Sequence, residues 1–199
     1  MPRAKQRTPE LRGRVLQVAV ATLASEGVAG FTTRKVAEEA ETSTPAVYEL
    51  FGDKAGLVRE MFFEGFRMLG RRFEELEETR DPRADLERVV QTLRAFVRKN
   101  PVLSELMFSR PFADFDPGPS ELEAGRVTRT FVVGRVRRCI EAGLLAGDAT
   151  DIAHVLFSMT HGLADTEIAG WLGTSKASVD RRWDLAVRAV LDGLRPTKR

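Results

Sequence analysis

Residues 43–54 read STPAVYELFGDK. Ser43 and Thr44 put two hydroxyls side by side, Pro45 follows, and Tyr48 is the sole tyrosine among 199 residues. Such groups suit recognition rather than bond-making. Hydroxyls bond phosphate oxygens or base edges. Pro45, Ala46 and the Thr44 methyl offer apolar contact to thymine methyls, and Tyr48 and Lys54 can reach phosphates. Glu49 is the odd member: it could accept from a cytosine amino group, or stay solvated, which is the simpler reading.

Two other constellations could do chemistry. His154, Ser158, His161 and Asp165 recur at i, i+4, i+7 and i+11. Two imidazoles and a carboxylate could ligate zinc, but seven residues of helix separate the imidazoles by about 10–11 Å. A polar seam fits better, lining either a ligand cavity or a contact between subunits, with His161 bonding one or the other. Cys139 lies in RVRRCIEAG, where arginines could lower its pKa, or burial could make it inert. No Ser-His-Asp arrangement with local motif support, no phosphate-cradling glycine loop and no HExxH occurs. The residues therefore argue against an enzyme, and no cofactor or metal is expected.

Helices must position these groups, since helical spacing is the strong periodic signal. Thr8, Pro9 and Glu10 form a helix start, and Gly27 stops that helix. Thr32 or Thr33 caps a short helix over about 33–40, and Ser43 or Thr44 caps another over about 44–51. Gly52 ends it, and Asp53 caps a long helix to about Thr79. Asp81-Pro82 and Asn100-Pro101 break the chain on either side of the next helix. A short apolar helix follows over about 102–109, then the irregular RPFADFDPGPS. Ser120 caps a helix to about Ala142, Asp148 or Thr150 starts one to Leu172, and Ser175 starts the last, to about Leu194. The expectation is an all-α fold of about nine helices.

The two short helices joined by Glu41-Thr42-Ser43 have the layout of a helix-turn-helix unit. Val47, Leu50 and Phe51 share one face, and small Ala37 and Ala40 let the helices approach. The opposite face carries Pro45, Tyr48 and Glu49, with Thr44 and Ala46 at its edges. It suits insertion into a major groove. Lys54, at the start of the long helix, adds a site where free N–H groups attract phosphate.

TRKVAEEAETSTPAVYELFGDKAGL resembles the N-terminal domain of TetR-family transcriptional regulators. The resemblance runs over roughly residues 9–60, from the first helix ending in Gly27 through Phe31-Thr32-Thr33, Val36-Ala37, Ser43, Val47-Tyr48, Phe51, Lys54 and Leu57. HGLADTEIAGWLG is similar, more weakly, to some C-terminal domains of the family. The family usually has glycine and then an apolar residue in the turn, where this chain has Glu41 and Thr42. The resemblance implies a DNA-binding domain over 1–55 and an effector-binding and dimerisation domain over 56–199. It implies a homodimer on a palindromic double-stranded operator, repression as the common mode, and release by a small molecule. By position it assigns DNA contacts to Thr33, Arg34, Ser43, Thr44, Pro45, Ala46, Tyr48 and Lys54.

In the second half, Ile152, Val155, Leu156, Met159 and Leu163 share a face. Val179, Trp183, Val187, Val190, Leu191 and Leu194 form another. With many small residues nearby, the helices at about 150–172 and 176–194 are expected to pair with their copies in a four-helix interface. Aromatic and methionine side chains crowd at Phe62, Phe63, Phe66 and Met68, and again at Met107, Phe108, Phe112 and Phe115. Such stripes read first as core, although the resemblance implies an apolar cavity there. The candidate effector contacts are Phe66, Met107, Phe108, Phe112, Met159 and His161, with the 110–119 segment as an entrance.

Net charge is only +2, yet residues 1–14 hold Arg3, Lys5, Arg7, Arg12 and Arg14 against Glu10, a basic arm suited to a polyanion. Nothing approaches the ~18–20 apolar residues of a membrane span, no apolar run follows the basic start, and one cysteine forms no internal disulfide. A cytoplasmic setting is expected. Two readings compete with DNA binding, an all-α interaction module and a small enzyme. The interaction module leaves the basic arm and the outward surface of the third helix without a role, and the enzyme lacks a supporting motif.

Overall fold

A computed structural model of the chain describes residues 8–109, 112, 115 and 118–197. Among these residues the fold is all-α, with nine helices: α1 (Pro9–Gly30), α2 (Thr33–Glu39), α3 (Thr44–Phe51), α4 (Lys54–Glu74), α5 (Pro82–Lys99), α6 (Pro101–Phe108), α7 (Pro119–Glu141), α8 (Ala149–Ile168) and α9 (Lys176–Gly193). The basic arm at Arg3, Lys5 and Arg7 and most of the 110–119 segment lie outside the described residues. No helix among the described residues is long and apolar enough to cross a membrane.

Contacts divide the chain into two compact units, Met1–Arg67 with Asn100–Ala124, and Met68–Lys99 with Gly125–Arg199. In the first, α1 packs on α2 and α6, and α2 on α3. Thr8 caps α1 by accepting from Leu11 N–H (3.2 Å), and Gly27 breaks its helical path at φ 67°. Val15, Ala19, Leu23, Phe31, Val36, Ala40, Val47 and Leu57 form the buried core.

In the second unit α5 packs on α8, and α8 on α9. Two buried ion networks tie its helices. Asp85 on α5 accepts from Thr79 N–H (2.9 Å) and hydroxyl (2.6 Å) and from Arg138 Nη1 (2.6 Å), and pairs with Arg88. Arg94 donates through Nε and Nη2 to the Glu167 carboxylate (2.8 and 2.9 Å), and Trp183 Nε1–H donates to Glu167 Oε2 (2.8 Å). The Arg94 guanidinium also lies 4.7 Å from the centre of the Trp183 ring system.

Gly27 kinks α1 rather than ending it, since the helix runs on to Gly30, and three further boundaries differ from the sequence expectation, each through a side chain or a glycine. Helix α4 ends at Glu74 rather than Thr79. Thr79 is taken up by Asp85, while Arg135 and Arg138 capture the carbonyls of Leu76 and Thr79 (2.8 and 2.7 Å). Helix α7 begins at Pro119, so Ser120 lies inside it. The Glu121 carboxylate accepts from Gly118 N–H (3.0 Å) and the Ser120 hydroxyl (2.8 Å). Helix α8 stops at Ile168, because Gly170 adopts φ 78° and Trp171 N–H donates back to the Thr166 carbonyl (3.0 Å). This is the left-handed closure typical of helix C-termini.

Candidate nucleic-acid interface

The turn between α2 and α3 is built by backbone hydrogen bonds. Glu41 N–H donates to the Glu38 carbonyl (3.1 Å) and Thr42 N–H to the Ala37 carbonyl (2.9 Å), with Glu41 at φ 52°. That pair of bonds is a Schellman closure, whose left-handed position usually holds glycine. Glutamate there costs about 1 kcal/mol. Ser43, rather than Thr44, then caps α3 by accepting from Ala46 N–H (3.4 Å), and Thr32 caps α2 by accepting from Lys35 N–H (3.2 Å).

The pair sits on a platform. Val36, Ala37, Ala40, Val47 and Phe51 are buried, whereas Leu50 is only half-buried. The Thr22 hydroxyl on α1 donates to Glu39 Oε2 (2.7 Å). Arg12 reaches from α1 to α3 and α4, with its guanidinium 5.0 Å from the Phe51 ring centre and Nη2 2.9 Å from Glu60 Oε1. Gly56 fixes the turn from α3 into α4. A Cβ on it would collide with the Phe51 carbonyl oxygen, so α4 can start this close to α3 only with glycine there. Asp53 Oδ1 accepts from Gly56 N–H (2.7 Å) and caps α4.

Of the eight assigned DNA contacts, six are available on the surface. Arg34, Pro45, Tyr48 and Lys54 are exposed, Tyr48 at 43%, and Ser43 and Thr44 are half-buried. Arg34 Nε donates to Glu38 Oε1 one turn along α2 (2.8 Å). Thr33 and Ala46 differ from the expectation: they are 5% and 6% exposed, turned into the core under the face rather than onto it. Helical position alone put Ala46 at the edge of that face, and its burial places it beneath. Gly56, which holds the face in place, escaped the sequence reading, and Arg12, counted there with the basic arm, is spent on Phe51 and Glu60. The tight Phe51–Gly56 approach leaves no periodic signal.

The effector candidates fall into the two units separately. In the first, Phe66 lies 5.0 Å from Phe62 and 5.8 Å from Phe108, centre to centre, and Phe112 lies 5.8 Å from Phe31. Met107 packs against the bare Cα of Gly65. In the second unit, Met159 is half-buried on α8. His161 Nδ1 lies 3.3 Å from Asp165 Oδ2, and the His161 ring stacks on Phe157 (5.8 Å). His154 Nδ1 bonds the Thr150 carbonyl of its own helix (2.8 Å). The second unit also has a groove of about 300 Å³ between α5 and α9, lined by Arg83, Glu87, Gln91, Asp184, Val187 and Arg188. Its walls are polar, unlike the apolar lining expected of an effector site. Cys139 is buried, its Sγ donating to the Pro82 carbonyl (3.2 Å), and burial pushes the thiol up to about 11. The neighbouring arginines therefore do not make it a reactive thiolate.

The faces offered for self-pairing are partly buried within the chain. Ile152 and Leu156 are buried, as are Val179, Trp183, Val187 and Leu191. Val155 of the α8 face stays exposed, as do Ile168 at the end of α8, Trp171 (85%) in the turn after it and Leu185 (63%) on α9.

A short helix, a tight turn and a second helix presented outward on a helical platform define a helix-turn-helix transcriptional regulator. The family description "Bacterial regulatory proteins, tetR family" matches residues 15–61, and "Tetracyclin repressor-like, C-terminal domain" matches residues 86–190. The chain belongs to the TetR family. A protein with unknown function from Rhodococcus sp. RHA1 is 28% identical, with a TM-score of 0.82 over 97% of this chain and 100% of that one. The TetR-family transcriptional regulator PfmR from Thermus thermophilus shares the fold at 19% identity, with a TM-score of 0.67 over 88% and 97% of the two chains. A TetR variant from Acinetobacter baumannii AYE in complex with minocycline shares it at 19% identity, with a TM-score of 0.65 over 93% and 98%. No curated protein matches.

Proposed function

We propose that this chain is a cytoplasmic, ligand-responsive repressor that binds a palindromic operator as a homodimer and leaves it when a small, apolar effector binds. The observation that carries this reading is the outward face of α3. It has a hydroxyl-capped N-terminus, no large aliphatic side chain, an exposed Tyr48, and Lys54 beside it at the start of α4. Ser43, Thr44 and Pro45 address base edges and nearby phosphates, and Arg34, Tyr48 and Lys54 address the backbone or, for Arg34, a base. Thr33 and Ala46 support that face from beneath. In this reading residues 1–55 are the reading head and 56–199 hold the effector and the dimer contacts.

Two heads on one operator need a separation of about one DNA turn, ~34–36 Å, or a multiple of it. An effector must favour one arrangement of the heads over the other. The apolar set Phe66, Met107, Phe108 and Phe112 is the proposed effector contact in the first unit, with Met159 and His161 the candidates in the second. The exposed apolar residues of α8, α9 and the turn between them are the proposed self-association surface.

Selection of bound duplexes from a random DNA pool tests the reading. An inverted repeat should emerge, and affinity should fall steeply with salt, with a log–log slope near −0.9 per phosphate neutralised. Recovery of no duplex by the folded, unliganded protein would sink it.

A further inference from the structure

Lys54 does not extend freely into solvent. Its Nζ lies 5.9 Å from the ring centre of Phe31 and 5.6 Å from that of Phe112, and the two rings meet edge to face at 5.8 Å and 75°. Both rings are buried. Phe31 follows α1 and Phe112 follows α6, so two distant stretches of the first unit converge under one ammonium.

The ring faces carry negative partial charge and attract a cation at this range. Lysine has a long, flexible stem and loses rotamer freedom when it is held at a phosphate. A side chain already restrained loses less on binding. The aromatic floor keeps the ammonium beside the first turn of α4, whose free N–H groups also favour phosphate.

We propose that Phe112 is a positioning residue for DNA binding: with Phe31 it holds Lys54 ready for a backbone phosphate. Phe112 itself touches no DNA in this arrangement. The inference rests on the reading of Lys54 as a phosphate contact. It makes affinity for DNA depend on where the chain beyond α6 places one ring.

The test is a double-mutant cycle by fluorescence anisotropy, using a labelled duplex recovered by the full-length protein from a random pool. Phe112→Leu keeps apolar volume and removes the ring face, and it should weaken binding roughly two- to five-fold. Lys54→Met should weaken binding and reduce the salt slope by about one. In the Lys54→Met background, Phe112→Leu should cost nothing further, and Phe112→Trp should bind like the wild type. Thermal melts confirm that each variant is folded; if Phe112→Leu is not, Phe112→Met takes its place. Equal weakening by Phe112→Leu in both backgrounds would show a packing role and overturn the proposal, as would wild-type affinity of that variant. Unchanged affinity and slope for Lys54→Met would remove the Lys54 contact, and this proposal with it, while leaving DNA binding standing. Failure of the wild type to retain any duplex would remove the underlying reading itself.

Discussion

Asp85 shows how one residue can carry much of a unit's polar order. Its side chain is buried, and burial alone would raise its pKa. Hydrogen bonds from the Thr79 hydroxyl and N–H and from Arg138, with the charge of Arg88, overcome that and hold the carboxyl well below the usual carboxylate range. A depressed folded-state pKa adds stability that is complete above the unfolded value, about 3.9, and is lost as pH falls through the folded value. Asp85→Asn removes that contribution and leaves Arg88 and Arg138 beside a neutral buried amide. It should cost roughly 3 kcal/mol at neutral pH. The variant's stability should fall less between about pH 5 and pH 2 than the wild type's, which chemical denaturation across that range would read. A parallel pH dependence in the two proteins would show that Asp85 is not the titrating group. Glu41 is the opposite case, a residue whose backbone is strained at φ 52° to close the reading-head turn. The amino-acid order hinted at that strain, because a glycine-like position held glutamate.

At the scale of elements, capping and close approach set where helices begin and end. The starts of α1, α2 and α3 match the caps legible in the sequence, because Thr8, Thr32 and Ser43 act on N–H groups within three residues. The ends of α4 and α8 were not legible. One depends on arginines from α7 and the other on a left-handed glycine that read equally well as a packing residue. The α3–α4 corner depends on Gly56. Gly56→Ala forces a methyl into the Phe51 carbonyl and must move α3 or α4. It should destabilise the first unit by about 2 kcal/mol or more, as overpacking does. It should also weaken DNA binding beyond what the stability loss explains, since the corner carries Lys54. Melting curves with duplex titrations on the same samples check this, and wild-type values in both would refute the corner's role.

At the scale of the whole molecule, the apolar side chains left outside are the ones that bear on assembly. Trp171, Leu185, Val155 and Ile168 are exposed on α8, α9 and their connecting turn, while Trp183 and its neighbours are spent on the chain's own core. Leu185→Arg places a charge in the proposed self-association surface without touching that core. It should raise the concentration at which dimers form by about tenfold or more. Operator binding should weaken correspondingly, with the melting temperature of the monomer unchanged. Sedimentation velocity across a dilution series would show this. A dimer as tight as the wild type's would move the interface elsewhere.

Sequence by itself determined the all-α class, the cap candidates of the first three helices, the family resemblance and the short-helix pair with its outward hydroxyls, phenol and ammonium. These follow from local rules: helical periodicity, side-chain capping within one turn, and the shape of a recognition helix. Tertiary structure alone decided that Thr33 and Ala46 turn inward, that Trp183 serves Glu167 and Arg94 within the chain, and that Phe112 comes to rest beneath Lys54. Each of those outcomes depends on residues far apart in the chain competing for the same buried space or the same charged group. A helical wheel assigns a residue to a face, but only the packed neighbours determine whether that face meets protein, solvent or a partner.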